Sequence, residues 1–504
     1  MKKKYLVIIF AVLFIATNIL SSYTAEKKDA LTIAINAEPT TLDPSKANDR
    51  ITMNVQRQLY DMLILKDEDG NLIPGLAEEW SVSNDGLEVT FNLRKDVKFH
   101  NGETMTAKDV VFSYERAIAS SFTSRISGSM ESMKQIDDNT VVLKLKFPYG
   151  PILACVASIN MGIVSEKAVK ENEEGFDRSP IGTGPYSLVE WKSGYKLIFK
   201  SFANYYRGEA AIKNLDYNII PDSSTALIAL EKGEVDMVQS PSPADKQNIL
   251  GNSDLVLTET PQASYMFIGF NTETGVFNNK LLRQAVSYAV DREAVIIGGL
   301  DGSATALEVP MPPVCFGFPE GFKNNPYDTE RAKQLLTEAG YPNGLKVKLR
   351  AMESPIYARP AEVIQENLRL VGIEAELDLM ERGAFLKDVY TDCNYEIDLS
   401  DISALVPDAD FITYTRFHSE LVGGGRNFTR FKNAEMDKAL ETGRKSQSEE
   451  ERIAAYLKVS EIVKEEAPLI PILVAMNMVV ANKDLKGVKA NALEQYPVYG
   501  YSWQ

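Results

Sequence analysis

Residues 80–118 read WSVSNDGLEVTFNLRKDVKFHNGETMTAKDVVFSYERAI, the densest run of structural signals in the chain. Asn84-Asp85-Gly86 is a turn, because Asn and Asp tolerate left-handed backbone and Gly adopts it freely. Leu87, Val89, Phe91 and Leu93 alternate with Glu88, Thr90, Asn92 and Arg94, the two-residue period of a strand with one buried face. Asn101-Gly102 supplies a second turn. Thr106, three residues before Asp109, predicts a helix N-cap with an acidic first turn. Val110, Val111, Tyr114, Ala117 and Ile118 then recur at helical spacing. A hairpin and a helix follow, with no catalytic chemistry in either.

Upstream, Leu31–Ile35 alternates as a strand, and Glu38-Pro-Thr-Thr-Leu-Asp-Pro44 forms a loop after it. A helix is expected through Met53, Val55, Leu59 and Leu63. Downstream, Ile181-Gly-Thr-Gly-Pro-Tyr186 invites a dinucleotide-binding reading, but Pro185 follows at once and the third glycine is missing. It reads better as a turn before a strand. Residues 219–236 give a strand, a helix over Ala226, Leu227 and Leu230, and a glycine cap at Gly233. Tyr265–Asn271 is a strand, and Leu281, Leu282, Ala285, Val286, Ala289 and Val290 form a helical stripe. A helix starting at Asp328, a strand over Leu345–Leu349, a helix from about Ala361 to Leu370 and a strand over Ile373–Leu379 imply a parallel crossover. After a helix around Ile453–Lys464, Pro468–Val474 and Met478–Ala481 read as two returning strands.

The 504 residues suffice for two or three domains, and 44% hydrophobic with 25% charged residues is ordinary for a soluble globular protein. Lys2, Lys3 and Lys4 precede an apolar run from Tyr5 to Ala16, the pattern of a secretory signal peptide cut after Ala25. Thr17 and Asn18 interrupt the run before the roughly 20 apolar residues that a membrane span needs. The net charge of −16 argues against nucleic acid and anionic membranes as partners. Cys155, Cys315 and Cys393 are too far apart for metal spacing and read as buried small hydrophobes. His100 and His418 are the only histidines. Neither lies in a Gly-x-Ser-x-Gly or His-Glu-x-x-His setting, so the residues single out no enzyme and no cofactor.

The 80–118 run resembles the signature W-x-x-S-x-D-G-L-x-x-T-F-x-L-R-x-x-V-K-F-H-x-G-x-x-x-T-A-x-D-V-x-x-S of the extracytoplasmic substrate-binding proteins of peptide and nickel ABC importers, solute-binding family 5. Leu59–Leu63, Ile181–Tyr186, Asn204–Gly208 and Arg283–Glu293 match further family strings. The resemblance implies an α/β fold, two-lobed and periplasmic-binding-protein-like (type II), with an additional third domain and a two-strand hinge near residues 265–271 and 470–480. The implied division is 1–25 signal peptide; 26–70, 181–268 and 476–504 lobe I; 71–180 the additional domain; and 269–475 lobe II. The implied function is capture of a small peptide or peptide-like solute between the lobes for delivery to permease subunits in the inner membrane, by a periplasmic monomer. No cysteine precedes Cys155, so no lipid anchor follows the signal. A non-peptide solute, glutathione or a nickel chelate, is the alternative, as is a ligand sensor or chaperone on the same fold.

Peptide-binding relatives hold the ligand's α-amine with an aspartate in W-x-x-D-x-x-D-P-D. Aligning Pro407-Asp408-Ala409-Asp410 without gaps puts Ile402 at the Trp position and Leu405 at the amine-binding position. A closed pocket that faces an α-amine with Leu405 selects against free peptides unless Asp401 or Asp49 takes over, since an unpaired buried ammonium costs several kcal/mol. The ligand is expected to be held mainly through backbone groups and side-chain contacts rather than the usual amine–Asp and carboxylate–Arg pairs. The R-P-Y stretch with which dipeptide binders hold the carboxylate is absent, and Arg359 cannot be matched to it. The resemblance carries the ligand contacts onto Asn48, Asp49, Tyr265, Asp401, Ile402 and Leu405.

Overall fold

Strand Leu469–Asn482 is the spine of the molecule. Its first half pairs antiparallel with Ser264–Phe270 and Ala304–Ala306, and its second half with Leu255–Pro261 and Met237–Gln239. The computed structural model describes residues 28–67, 70–423 and 426–504. The segment 1–25, expected to be a signal peptide, lies outside them. The two strands expected over 468–474 and 478–481 are one, because Pro471 sits at a register shift opposite Phe267 and interrupts the ladder without ending it.

Around this spine runs a 12-stranded mixed sheet. On one side Ala30–Ile35 lies parallel to Asn214–Ile219 and to Met237–Gln239. On the other, Leu345–Met352 lies parallel to Ile373–Met380 and Ile397–Ser403, joined by helix Pro355–Leu370 as the crossover predicts. The chain therefore crosses between the two halves at 261–264 and again at 475–476. Both faces of each half are covered. Tyr265 and Phe267 enter one core cluster of the second half, while Met266, Ile268 and Phe270 enter the other. This accounts for a strand with no exposed residue.

The opening stretch forms what its residues dictate. Ala77–Val82, Glu88–Leu93, Thr140–Leu145 and Met130–Gln135 make a separate antiparallel four-stranded sheet. Helix Ala107–Ala119 packs on it, and Asp109 accepts both the amide and the hydroxyl of Thr106 at its N-terminus. One core cluster is continuous from this sheet into the half built on Ala30–Ile35.

The helix expected through Leu63 ends at Gln56. The carbonyls of Gln58 and Leu59, which a continuing helix would use, accept instead from Tyr186 and Gly184 at 3.0 and 2.9 Å. The Gly-Thr-Gly-Pro turn thus clamps the backbone of 58–60. A side chain at Gly184 would lie 2.5 Å from the Leu59 carbonyl carbon. The three cysteines are buried and unbridged.

The interlobe cleft as candidate functional site

Where parallel strands end beside a chain crossing, unpaired backbone and loop side chains face an open crevice. Here a small pocket follows Ala30–Ile35 and Met237–Gln239, lined by first-half residues that include Asn36, Arg50, Asn54, Gln239 and Glu494. Asn54 donates to Gln239 at 2.8 Å and accepts the Tyr496 amide at 2.8 Å, which fixes the floor. Arg50 pairs with Glu494 and reaches across to Ser403 Oγ at 3.0 Å, tying the first lobe to the strand that walls the second.

Asn48 is exposed just before this wall. Asp49 is engaged as the N-cap of helix Arg50–Gln56, accepting the Thr52 amide at 2.8 Å and the Thr40 hydroxyl at 3.0 Å. Its oxygens serve the fold first.

Opposite, residues 398–410 hold four aspartates with four different environments. Asp408 is buried against Arg452, at 2.7 and 2.8 Å, and caps helix Ala409–Phe417. Asp410 takes Arg444 through both oxygens, at 2.8 and 2.9 Å, and the Tyr149 hydroxyl at 2.9 Å. Asp398 is fully buried, with Ser400 donating to one oxygen and no partner on the other. Burial, opposed by Ser400 and Arg416, pushes its pKa up to about 7. Asp401 alone is half-buried, accepts the Tyr357 hydroxyl at 2.6 Å on one oxygen, and has no other hydrogen bond among the described residues.

Tyr265 and Ile402 face each other in the ladder, 1% and 4% exposed, so they form the floor of this wall rather than its surface. The Tyr265 hydroxyl is buried without a partner. Leu405 is half-buried at the end of the run. Tyr265 and Ile402 are thus paired, but Asp401 pairs with Met266 and leaves the sheet on the opposite face. Leu405 lies beyond the strand's end, and Asn48 and Asp49 lie on the facing lobe. Arg359 sits away from them, paired with Asp301 on the outer face of its helix.

Several cleft residues carry no sequence signal. Arg50, Tyr149, Tyr357 and Arg444 belong to no motif, and their partners lie 34 to 444 positions away. Lys66 is a fifth. Desolvation first, then Arg57, pulls its pKa down to about 8, with Asp408 of the other lobe acting in the opposite direction. Lobe II also inserts Val406 and Phe411 into the core cluster of lobe I. Together with Tyr149–Asp410 and the Gly150 amide on the Arg444 carbonyl at 2.9 Å, these contacts draw the walls together.

Neither histidine suits a metal. His100 accepts the Gly182 amide at 3.2 Å and lies 3.0 Å from the Gly184 carbonyl through its other nitrogen, and burial pulls its pKa down to about 4. His418 stacks on Tyr414, ring centroids 4.6 Å apart, and accepts the Glu420 amide. Among the described residues no three metal-binding side chains converge, and no helix is long and apolar enough to cross a membrane.

The sequence profile of the bacterial extracellular solute-binding proteins, family 5 middle region, matches residues 71–423. The chain belongs to this family. Heme-binding protein A of Haemophilus influenzae is 30% identical over 482 residues, 88% of this chain and 87% of that protein. Among solved structures, HbpA2 from Haemophilus parasuis superposes with a TM-score of 0.87 at 27% identity, over 94% of this chain and all of that one. The ABC transporter-associated binding protein DppA from Helicobacter pylori, in complex with the peptide STSA, gives 0.79 at 27% identity over 95% and 98%. The two-lobed α/β architecture is that of the family, and so is the role of solute-binding component of an ABC importer. Family 5 solute-binding proteins are extracytoplasmic.

Proposed function

We propose that this family-5 protein is a periplasmic monomer, released from a cleaved signal peptide, that captures a small peptide or peptide-like solute in the interlobe cleft and presents it to inner-membrane permease subunits. The proposed division is lobe I over 26–70, 181–268 and 476–504, the additional domain over 71–180, and lobe II over 269–475. The proposed lining is Asn48, Asp49, Tyr265, Asp401, Ile402 and Leu405.

One observation supports a ligand amine in particular. Asp408 and Asp410 are each neutralised by an arginine, and Asp398 is sealed in the interior. Asp401 is left as the one aspartate of the run with accessible acceptor capacity, and the Tyr357 hydroxyl keeps its carboxylate oriented. Asp401 is thus the proposed amine anchor in place of Leu405.

The test is isothermal titration and thermal-shift screening of the mature protein against dipeptides, longer peptides, glutathione and nickel–histidine. Binding of free peptides at micromolar levels or tighter, about −8 kcal/mol, is the expected result. Binding of nickel–histidine with silence toward every peptide would sink the peptide reading. Localisation is checked separately: the mature chain is expected in the osmotic-shock fluid, and recovery only in salt-washed membranes would contradict periplasmic residence.

A further inference from the structure

We propose that the cavity between the four-stranded sheet and lobe II is a second binding site, for a neutral polyhydroxylated solute of sugar size, and that filling it favours the closed lobes. This rests on the capture reading above and adds to it a second ligand that tightens the first.

Two turns face each other across this cavity of about 450 Å³, a volume in the range of small-molecule sites. One side is the turn after strand Ala77–Val82 together with the start of helix Ile152–Val156. The other is the turn between helices Ala434–Lys445 and Glu449–Glu466. Asn84 and Leu153 line the cavity from the first side, and Gln447, Glu449 and Arg452 from the second. None of its lining belongs to the proposed peptide contacts, so it is a place apart from the cleft. The two sides meet at its edges. The Gly150 amide donates to the Arg444 carbonyl at 2.9 Å, and a Cβ at Gly150 would stand 2.7 Å from the Ser446 carbonyl oxygen. A Cβ at Gly86, whose φ is +68°, would stand 3.1 Å from Gln447 Nε2. The walls approach this closely because both positions lack a side chain.

The unengaged groups of the lining define the ligand. Arg452 is 5% exposed and already occupied: its Nη2 holds Asp408 at 2.7 and 2.8 Å, and its Nε donates to the Gly443 carbonyl at 2.8 Å. The Ser83 hydroxyl donates to Asp85 and that of Ser446 to Glu451, both at 2.6 Å. The side chains of Asn84, Gln447 and Glu449 are exposed and make no hydrogen bond or ion pair among the described residues. A carboxylate could use the two amide donors but would meet Glu449 with like charge. An ammonium could use Glu449 and the amide oxygens but not the amide donors. A hydroxyl both donates and accepts, so a solute with several of them serves all three side chains. The positive end of helix Glu449–Glu466 offsets part of the Glu449 charge, which suits a neutral ligand. Val82, Ile152 and Leu153 give the C–H face of a sugar ring an apolar backing.

Coupling follows from where the walls come from. Lobe II swinging away from the sheet parts Gln447 and Glu449 from Asn84 and opens the cavity. A solute that touches both walls therefore binds the closed arrangement better and shifts the lobes toward it. Arg452 links the two places. It lines the cavity and holds Asp408, the cap of helix Ala409–Phe417, three residues beyond Leu405. By linkage, the factor by which the second solute tightens peptide binding is the factor by which peptide tightens the second solute.

The test titrates the full mature protein with maltose and glucose, and with spermidine and citrate as cationic and anionic comparisons, by calorimetry and X-ray scattering. The sugars are expected to bind and to lower the radius of gyration, while spermidine and citrate do neither. Asn84→Ala, Gln447→Ala and Glu449→Gln, all at exposed positions, are each expected to weaken the sugar about tenfold and to leave a dipeptide titrated alone unchanged. Sugar is expected to tighten dipeptide binding, and dipeptide to tighten sugar binding by the same factor. No binding of either sugar overturns the inference and leaves peptide capture intact. Sugar binding that survives all three variants lies elsewhere, the cleft included, and overturns it too, as does binding of spermidine or citrate in place of sugar. Binding lost in the variants but without any change in radius contradicts the link to closure. If no peptide binds, the capture reading falls, and the sugar titration with its scattering still decides this one.

Discussion

Asp398 shows how one buried carboxyl couples this fold to pH. It faces Gly269 across the ladder, and a Cβ there would meet its Oδ1 at 2.4 Å, so the glycine makes room for the acid. Its folded pKa of about 7 lies above the ordinary carboxylate value. The fold therefore favours the protonated form, and this contribution is whole below about pH 4 and is lost as pH rises through 7. His100 has the opposite sign: depressed to about 4, it favours the fold in its neutral form, and that stability is lost as pH falls from about 6.5 toward 4. Asp398→Asn should consequently raise the melting temperature at pH 8 and leave it nearly unchanged at pH 4. Equal effects at both values in thermal unfolding would refute the assignment. At the same scale, Asp401→Asn should weaken a free dipeptide ten- to a hundredfold, about 1.5–3 kcal/mol, and leave its N-acetylated form unaffected. Titration of the two peptides reads this directly, and equal losses would show that Asp401 only supports Tyr357.

At the scale of elements, the Gly182–Tyr186 turn decides where the first helix stops. Gly184 lies against the backbone of Gln58, Leu59 and Tyr60, with contacts of 2.5 to 2.7 Å awaiting any Cβ. Backbone on both sides cannot move aside as a flexible side chain does, so Gly184→Ala should cost on the order of 2–4 kcal/mol. Gly251, the last residue of helix Lys246–Gly251, has open space around it. Gly251→Ala should be neutral or stabilising by about 0.4–1 kcal/mol, through the entropy of the unfolded chain. Urea denaturation of the pair checks the contrast, and similar behaviour of the two would mean that the turn relaxes freely.

For the whole molecule, the proposed lobe closure would be held by contacts across the two crossings at 261–264 and 475–476. These are Tyr149–Asp410, Gly150–Arg444 and Arg50–Ser403, together with Val406 and Phe411 packed into the core cluster of lobe I. A two-strand connection is compatible with rigid-body closure about these few residues. Tyr149→Phe removes one hydrogen bond to a charged acceptor, about 1.5–3 kcal/mol of the closed state. The ligand-free protein should become larger in solution scattering, and apparent affinity should fall by the fraction of closed state lost. An unchanged radius of gyration with and without ligand, in both wild type and variant, would exclude closure as the working motion.

Much of this fold is written locally. Turns at Asn84-Asp85-Gly86 and Asn101-Gly102, the Thr106–Asp109 cap and the separate strands and helix of the 345–380 crossover follow from side-chain period and backbone freedom within each element, where short-range preferences dominate. The family resemblance of residues 80–118 then sets the architecture. What sequence could not decide was settled by segments meeting across hundreds of positions. Leu59 leaves its helix because Gly184 takes its carbonyl. Asp408 and Asp410 are occupied because Arg452 and Arg444 reach them from two later helices, which leaves Asp401 with a free oxygen. Four aspartates within thirteen residues look alike as letters. Only desolvation and the partners brought by the tertiary fold make one harder to ionise, two neutralised and one available.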